Sequence, residues 1–312
     1  MVEAIQRRDD IERQIRQRQC LISLERFTIT FWDVIIENEL VWSEHMSIMC
    51  NEIERVYKLV FERRHKEHDL IINIPPGTSK TTICSIMATC WAFANMPSIR
   101  ILITSFSDDA VISIADKVKL ILNSDKYKNL FGWVEIRKDV NNKHNIKTTK
   151  NGELYAASVK GTITSKHFDI LTVDDPINPK DVDSRSAIIA VNTKFYARTL
   201  PTRKVDKEVT PTVTIMQRLG VNDPTAYLIE KNKEGTRHVV LPATNEYAVK
   251  PEIYKDIYVN GLLDPIRLSQ KILSDAKRDL VLTEYAGQFG QSPVPFGGNI
   301  IKDGWITIIE KT

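Results

Sequence analysis

The chain has 312 residues, enough for one large domain or two small ones around an ample core. Its hydrophobic fraction of 42% and charged fraction of 27% are those of an ordinary soluble globular protein, and a net charge of +3 is too small to argue for nucleic acid unless a basic footprint is local. No apolar run approaches a membrane span, the charged N-terminus from Glu3 to Arg18 excludes a signal peptide, and Cys20, Cys50, Cys84 and Cys90 form neither a CxxC pair nor a zinc spacing, so they read as reduced buried thiols.

Residues 3–40 predict one or two helices with apolar positions at Ile11, Ile15, Leu21 and Leu24. Arg7, Arg8, Arg13, Arg16 and Arg18 between them suit either a solvated face or an arm that touches DNA. A second helix is expected over Ser43–Arg64. From Leu70 the texture changes: "LIINI" (70–74) is a continuous apolar run, as in a strand buried on both faces. Thr81–Asn95 has helical spacing and stops at Met96-Pro97. "RILITSF" (100–106) predicts a strand, and Ser107 with two aspartates after it caps a helix to about Asn123. Residues 124–151 are loop-rich and studded with lysines.

Further strands are expected at 153–159, 169–173, 210–216 and 237–243, with a helix over Ser184–Leu200. Asp-Pro helix starts are expected at Asp223 and again at Asp264, the latter for a helix over 264–280. Strands alternating with helices predict an α/β fold: a mostly parallel β-sheet flanked by helices, behind an N-terminal helical segment.

Two strand ends carry chemistry. After strand 70–74 come Pro75, Pro76, Gly77, Thr78, Ser79, Lys80, Thr81 and Thr82. A phosphate loop joins a buried strand to a helix in this way, so that loop amides and the helix N-terminus face phosphates. Lys80 then reaches the β/γ-phosphates, and the Thr81 hydroxyl binds Mg²⁺. Against G-x-x-x-x-G-K-[ST], Ile74 and Ser79 replace the two glycines. The second end is "FDILTVDDP" (168–176), an apolar strand that closes on two carboxylates. Asp174 suits metal coordination; Asp175 suits positioning and deprotonating a water. Aspartate in that second place is about 1.5 Å shorter than the commoner glutamate. Two adjacent strand ends of matching chemistry predict a nucleotide site.

With these residues in place, the chain resembles the ATPase domain of tailed-phage large terminase subunits, a P-loop NTPase of the ASCE/RecA-like kind. The matching runs are "LIINIPPGTSKTT", "LITSFSDDA", "TSKHFDILTVDDPINPKDVDS", "KFYARTLPTR", "TIMQRLGVNDPTAYLI", "LPA" and "QFGQSPVPFGGNII", in the family's order over roughly residues 40–301. The resemblance implies ATP and Mg²⁺ as cofactors. It places Gln217 on the coupling motif that senses the γ-phosphate. Trp42 and His45 fall in the segment that borders adenine, and packing of the N-terminal helix accounts for both equally well. Arg100, Arg137, Arg185, Arg203 and Arg218 compete for the arginine finger. Implied partners are double-stranded DNA, a portal protein and the small terminase subunit, with a ring on the portal, a monomeric isolated domain, no membrane, and a host-cytoplasmic location. DNA contact is expected from Lys126, Lys128, Lys138, Lys143, Lys147 and Lys150, which suit a plain basic loop equally.

Departures are Thr164-Ser165-Lys166-His167 for the family's T-G-x-G, and "RLGVND" for its more acidic counterpart. The expected organisation is an N-terminal helical segment (1–64), an ATPase core (65–245), a C-terminal helical subdomain or linker (246–296) and the start of a linker (297–312) to a nuclease domain that is missing, so no nuclease activity is expected. Rival readings are a superfamily 2 helicase-like ATPase and a catalytically weak nucleotide-binding or portal-docking module.

Overall fold

Helices on both faces of one sheet account for the chain, described here from a computed structural model over residues 2–139, 142–163 and 165–295. The expected linker at 297–312, and Thr164 of the altered T-G-x-G stretch, lie outside the described residues. Helices α1 (Val2–Ile22) and α2 (Leu24–Phe31) come first, the second capped by the Ser23 hydroxyl. Helix α3 (Glu44–Phe61) then leads into strand β1 (Asp69–Asn73). After the 75–81 loop a π-helical segment, Thr82–Met87, runs directly into α4 (Ala88–Asn95). Every side chain from Ile83 to Ala94 is buried, so this helix is a central element rather than a surface one.

Strand β2 (Arg100–Ser105) and α5 (Asp108–Asn123), capped by Ser107, follow as expected, then α6 (Asp125–Leu130). Strands β3 (Asn145–Lys147), β4 (Glu153–Ser158) and β5 (Ile170–Asp174) precede α7 (Arg185–Ile189). The helix expected at 184–200 is wound as α7 and then as a π-helical stretch, Ala190–Thr199. Strand β6 (Thr212–Met216), α8 (Pro224–Lys231), β7 (Thr236–Val240), α9 (Gln270–Asp279) and α10 (Leu282–Gln288) complete the order.

The sheet order is β3-β4-β2-β5-β6-β1-β7, parallel throughout except for the short β3, which pairs antiparallel with β4. Period-two alternation divides β2, β4, β5 and β6 between two cores. Ile170 faces the larger core, with α4 and the N-terminal helices; Leu171 and Val173 face a smaller one closed by Phe195, Tyr196 and Leu200. Within the larger core, Trp91 stacks on Tyr57, and its indole N–H donates to the Cys20 and Leu21 carbonyls at 2.9 and 3.2 Å. All four cysteines are buried and unpaired.

Two expectations are corrected. Asp223-Pro224 does start a helix, with the carboxylate accepting from the Ala226 N–H at 3.1 Å. Asp264-Pro265 does not. The Asp264 carboxylate is taken up by the Ile266 and Arg267 amides and by the Arg267 guanidinium, and the helix starts six residues later under the Ser269 cap. The strands carrying the loop and the acidic pair are also not adjacent, because β6 lies between them and pairs with both.

Candidate active site

Because β1, β5 and β6 are parallel, their C-terminal ends open on one edge of the sheet, and the loop after β1 meets the end of β5 across the tip of β6. The Lys80 ammonium lies 3.0 Å from the Asp175 carboxylate. Asp174 is 2% exposed and accepts from the buried Ser85 hydroxyl at 2.7 Å. The two motifs thus share one site.

Backbone conformation is strained at two of its residues. Ser79 has φ +61° and Asp175 has φ +43°, in the left-handed region that costs a non-glycine residue about 1–2 kcal/mol. Ser79 therefore holds the conformation that a glycine would supply at no cost. Gly77 has φ +78°, and an added Cβ would meet open space, so its glycine is required for conformation alone. Asp175 is pinned on both sides: its N–H donates to the Ile215 carbonyl, and its own carbonyl accepts from the Phe106 N–H. Such strain persists where surroundings over-determine it, as at working sites.

Burial pushes the Asp174 carboxyl up to about 6, and Asp175 beside it adds to the rise; Lys80, Ser85 and Thr81 pull the other way. Its Oδ1 is buried with no hydrogen-bond partner among the described residues. A desolvated carboxylate oxygen without a donor, with the Thr81 hydroxyl close by, is the donor set a hard divalent cation takes. The residues therefore fit Mg²⁺. A cavity of about 230 Å³ opens here, lined by Thr81, Ser105, Lys117, Asp174 and Asp175 among others.

Pro76, Gly77, Thr78, Ser79 and Thr82 belong to the loop and the first turn after it. Gln217 follows β6, is 8% exposed, and its buried Oε1 has no hydrogen-bond partner among the described residues. Trp42 is half-buried, its indole N–H donating to the Ser47 hydroxyl at 2.8 Å. His45 is 0% exposed, so it offers no face to an adenine; its Nε2 meets the Thr78 carbonyl at 3.2 Å instead.

Among the arginines, Arg218 lies next to Gln217 but is paired with Asp223 at 2.8 Å. Arg100 opens β2, and Arg203 pairs its carbonyl with Phe168 just before β5. Both lie at the strand ends opposite the site and do not reach it within this chain, roughly 15 Å away along a five-residue strand. Arg137 is bound to Asp139 on the β3 side, and Arg185 lines a separate cavity with Asp183. Lys126 is engaged at the surface by the Thr30 carbonyl and Asp33, whereas Lys119, Lys128, Arg137 and Lys138 line a cavity of about 830 Å³.

Ser85, Lys117 and the supporting place of His45 escape the sequence reading. A signal for Ser85 does exist: it follows Thr81 by one helical turn, a hydroxyl set among apolar neighbours.

No family model and no curated protein matches the chain. Among solved structures, the HK97 bacteriophage large terminase aligns with 84% of this chain and 52% of its own, at 14% identity and a TM-score of 0.51. The large terminase of a thermophilic bacteriophage aligns with 75% and 51%, at 12% identity and a TM-score of 0.42. A mutant of a Thermus phage large terminase ATPase domain aligns with 76% and 93%, at 11% identity and a TM-score of 0.46. This chain spans about half the length of the first two. The HK97 likeness shows a shared fold, the mostly parallel α/β sheet flanked by helices expected from the sequence.

Proposed function

We propose that this protein hydrolyses ATP and couples the cycle to translocation of viral double-stranded DNA into a procapsid, as the motor part of a terminase large subunit. The observation that carries the reading is the meeting of Lys80 with Asp175 beside a buried Asp174, one oxygen of which has no partner among the described residues.

In this mechanism the loop amides and Lys80 hold the β- and γ-phosphates. A triphosphate offers the Lys80 ammonium a stronger anionic partner than Asp175, and so frees that carboxylate for water. Thr81 and Asp174 would hold Mg²⁺, which would supply positive charge to offset that of the phosphates. Asp175 orients a water and takes its proton as the water oxygen bonds to the γ-phosphorus; the bond from that phosphorus to the β–γ bridging oxygen breaks, and ADP leaves with the electron pair. Positioning and electrostatics carry most of the rate gain. An arginine supplied by a neighbouring copy, worth roughly 10³–10⁵ in comparable enzymes, makes turnover depend on assembly on a portal. Gln217, between the two motif strands, senses the γ-phosphate. The lysine- and arginine-lined cavity beside β3 is the proposed DNA contact, and the small terminase subunit and portal the protein partners, all in the host cytoplasm.

The test is phosphate release by the purified protein with MgATP, with and without linear duplex DNA and portal. Lys80→Ala is expected to abolish it; unchanged turnover overturns the site. Turnover that neither DNA nor portal alters overturns the coupling while leaving the ATPase standing.

A further inference from the structure

Ser79 occupies a conformation that its side chain opposes. With φ at +61° it is disfavoured about tenfold or more relative to the right-handed alternatives. A half-turn of the Thr78–Ser79 peptide plane relieves this, because it swings φ of Ser79 out of the left-handed region. The same flip has a second effect. A peptide's C=O and N–H point opposite ways across one plane, so turning the Thr78 carbonyl over also redirects the Ser79 N–H. The loop's array of amides survives only if the carbonyl stays where it is.

A buried imidazole holds that carbonyl. His45, on the first turn of α3 and fully buried, places Nε2 at 3.2 Å from it. A carbonyl only accepts, so Nε2 carries the hydrogen. Burial, opposed by Asp264, pushes the imidazole down to about 4, which leaves a neutral ring with that tautomer at neutral pH. Thr78 is itself fully buried, and its hydroxyl is spent on the Pro75 carbonyl at 2.8 Å, so the side chain does not replace the histidine.

Behind the ring, Nδ1 has no hydrogen-bond partner among the described residues; Asp264 lies 4.0 Å from it, beyond hydrogen-bond reach, and is fixed at 2.7 Å by Arg267. Arg267 in turn donates to the Val41 carbonyl, which ties down the chain just ahead of α3 and its Ser43 N-cap.

We propose that His45 is a positioning residue for the phosphate loop: by holding the Thr78 carbonyl it opposes the peptide flip that Ser79 favours, and so stands in for the absent glycine. This rests on the loop being the ATP site, and the test separates the two claims. Binding of a fluorescent methylanthraniloyl-ATP with Mg²⁺ is titrated alongside thermal melting. His45→Phe is expected to weaken binding about tenfold, the worth of one buried hydrogen bond. His45→Gln, whose amide N–H falls near the place of Nε2, stays within about threefold by the same reckoning. Ser79→Gly added to His45→Phe restores most of the affinity lost, because glycine accepts the left-handed conformation unaided. Where His45→Phe does not melt cooperatively, His45→Asn, polar but too short to reach the carbonyl, takes its place. Wild-type affinity in a folded His45→Phe or His45→Asn protein, or failure of Ser79→Gly to restore it, overturns the proposal. Lys80→Ala is the control: if it binds normally, the ATP-site reading fails; if it alone loses binding, only the role of His45 fails.

Discussion

Ser85→Ala removes a single oxygen from the interior, yet it is expected to weaken Mg²⁺ dependence by about 10- to 100-fold, the usual cost of losing a group that orients a metal ligand. Ser85 is fully buried and donates to Asp174 Oδ2 at 2.7 Å, while Oδ1 has no partner among the described residues. Alanine thus leaves a buried carboxylate leaning on Thr81 and on the charge of Lys80. A hydrogen bond to a charged group contributes about 1.5–3 kcal/mol, so the folded protein also loses a part of this and melts a few degrees lower. The Ser85 bond pulls the Asp174 pKa down, so its loss pushes the carboxyl further above its ordinary range and lets a proton compete with the cation. The assay is a Mg²⁺ titration of ATP turnover at fixed pH, with a melting curve on the same sample. A midpoint within twofold of wild type, in a protein that melts normally, refutes the reasoning: either Asp174 is no ligand or Ser85 does not hold it.

Asp175→Asn keeps shape and an acceptor for Lys80 but removes the base; turnover should fall about 10²–10⁴-fold with ATP affinity nearly unchanged, as rapid-quench kinetics and binding titrations would report. Trp91→Ala empties the space beside Tyr57 and orphans two carbonyls, so denaturant melts should show about 3–5 kcal/mol lost. His238, held by the Asn73 carboxamide at 2.7 Å, is pushed down to about 3 by burial, with Lys250 and Arg218 adding to it. A histidine with a depressed folded pKa contributes stability that is complete above its unfolded pKa near 6.5 and is lost as pH falls toward the folded one. Melting temperature should therefore drop between pH 6.5 and about 4, and His238→Gln should flatten that drop.

The chemistry at the strand ends is legible because it is local. A buried apolar run followed by Lys80-Thr81, and another ending in Asp174-Asp175, declare both the element and the group it presents. Strand order is not local, and nothing in residues 212–216 says that they pair between the two motif strands. Asp264 shows the same limit at short range. It carries the Asp-Pro signal of Asp223, but Arg267 three residues on captures its carboxylate, and the capping geometry goes to Ser269 instead. His45 is readable as a residue near the nucleotide, but its burial depends on packing by the distant segment that carries Asp264.

The inserted strand changes what the two motifs can do together. Were β1 and β5 directly paired, the loop and the acidic pair would abut, with no third group between them. With β6 interposed, its tip is hydrogen-bonded to both sides: Asn73 reaches the Met216 carbonyl from β1, and Asp175 donates to Ile215 from β5. Gln217 follows at once, buried, its Oε1 without a partner among the described residues. A shift of β1 relative to β5 therefore passes through the strand that carries Gln217 at its end. On the proposed reading this makes Gln217→Ala a decoupling change: ATP turnover persists at a reduced rate while DNA movement per ATP falls. Equal losses in both would place Gln217 in the hydrolysis step alone and leave β6 a structural spacer.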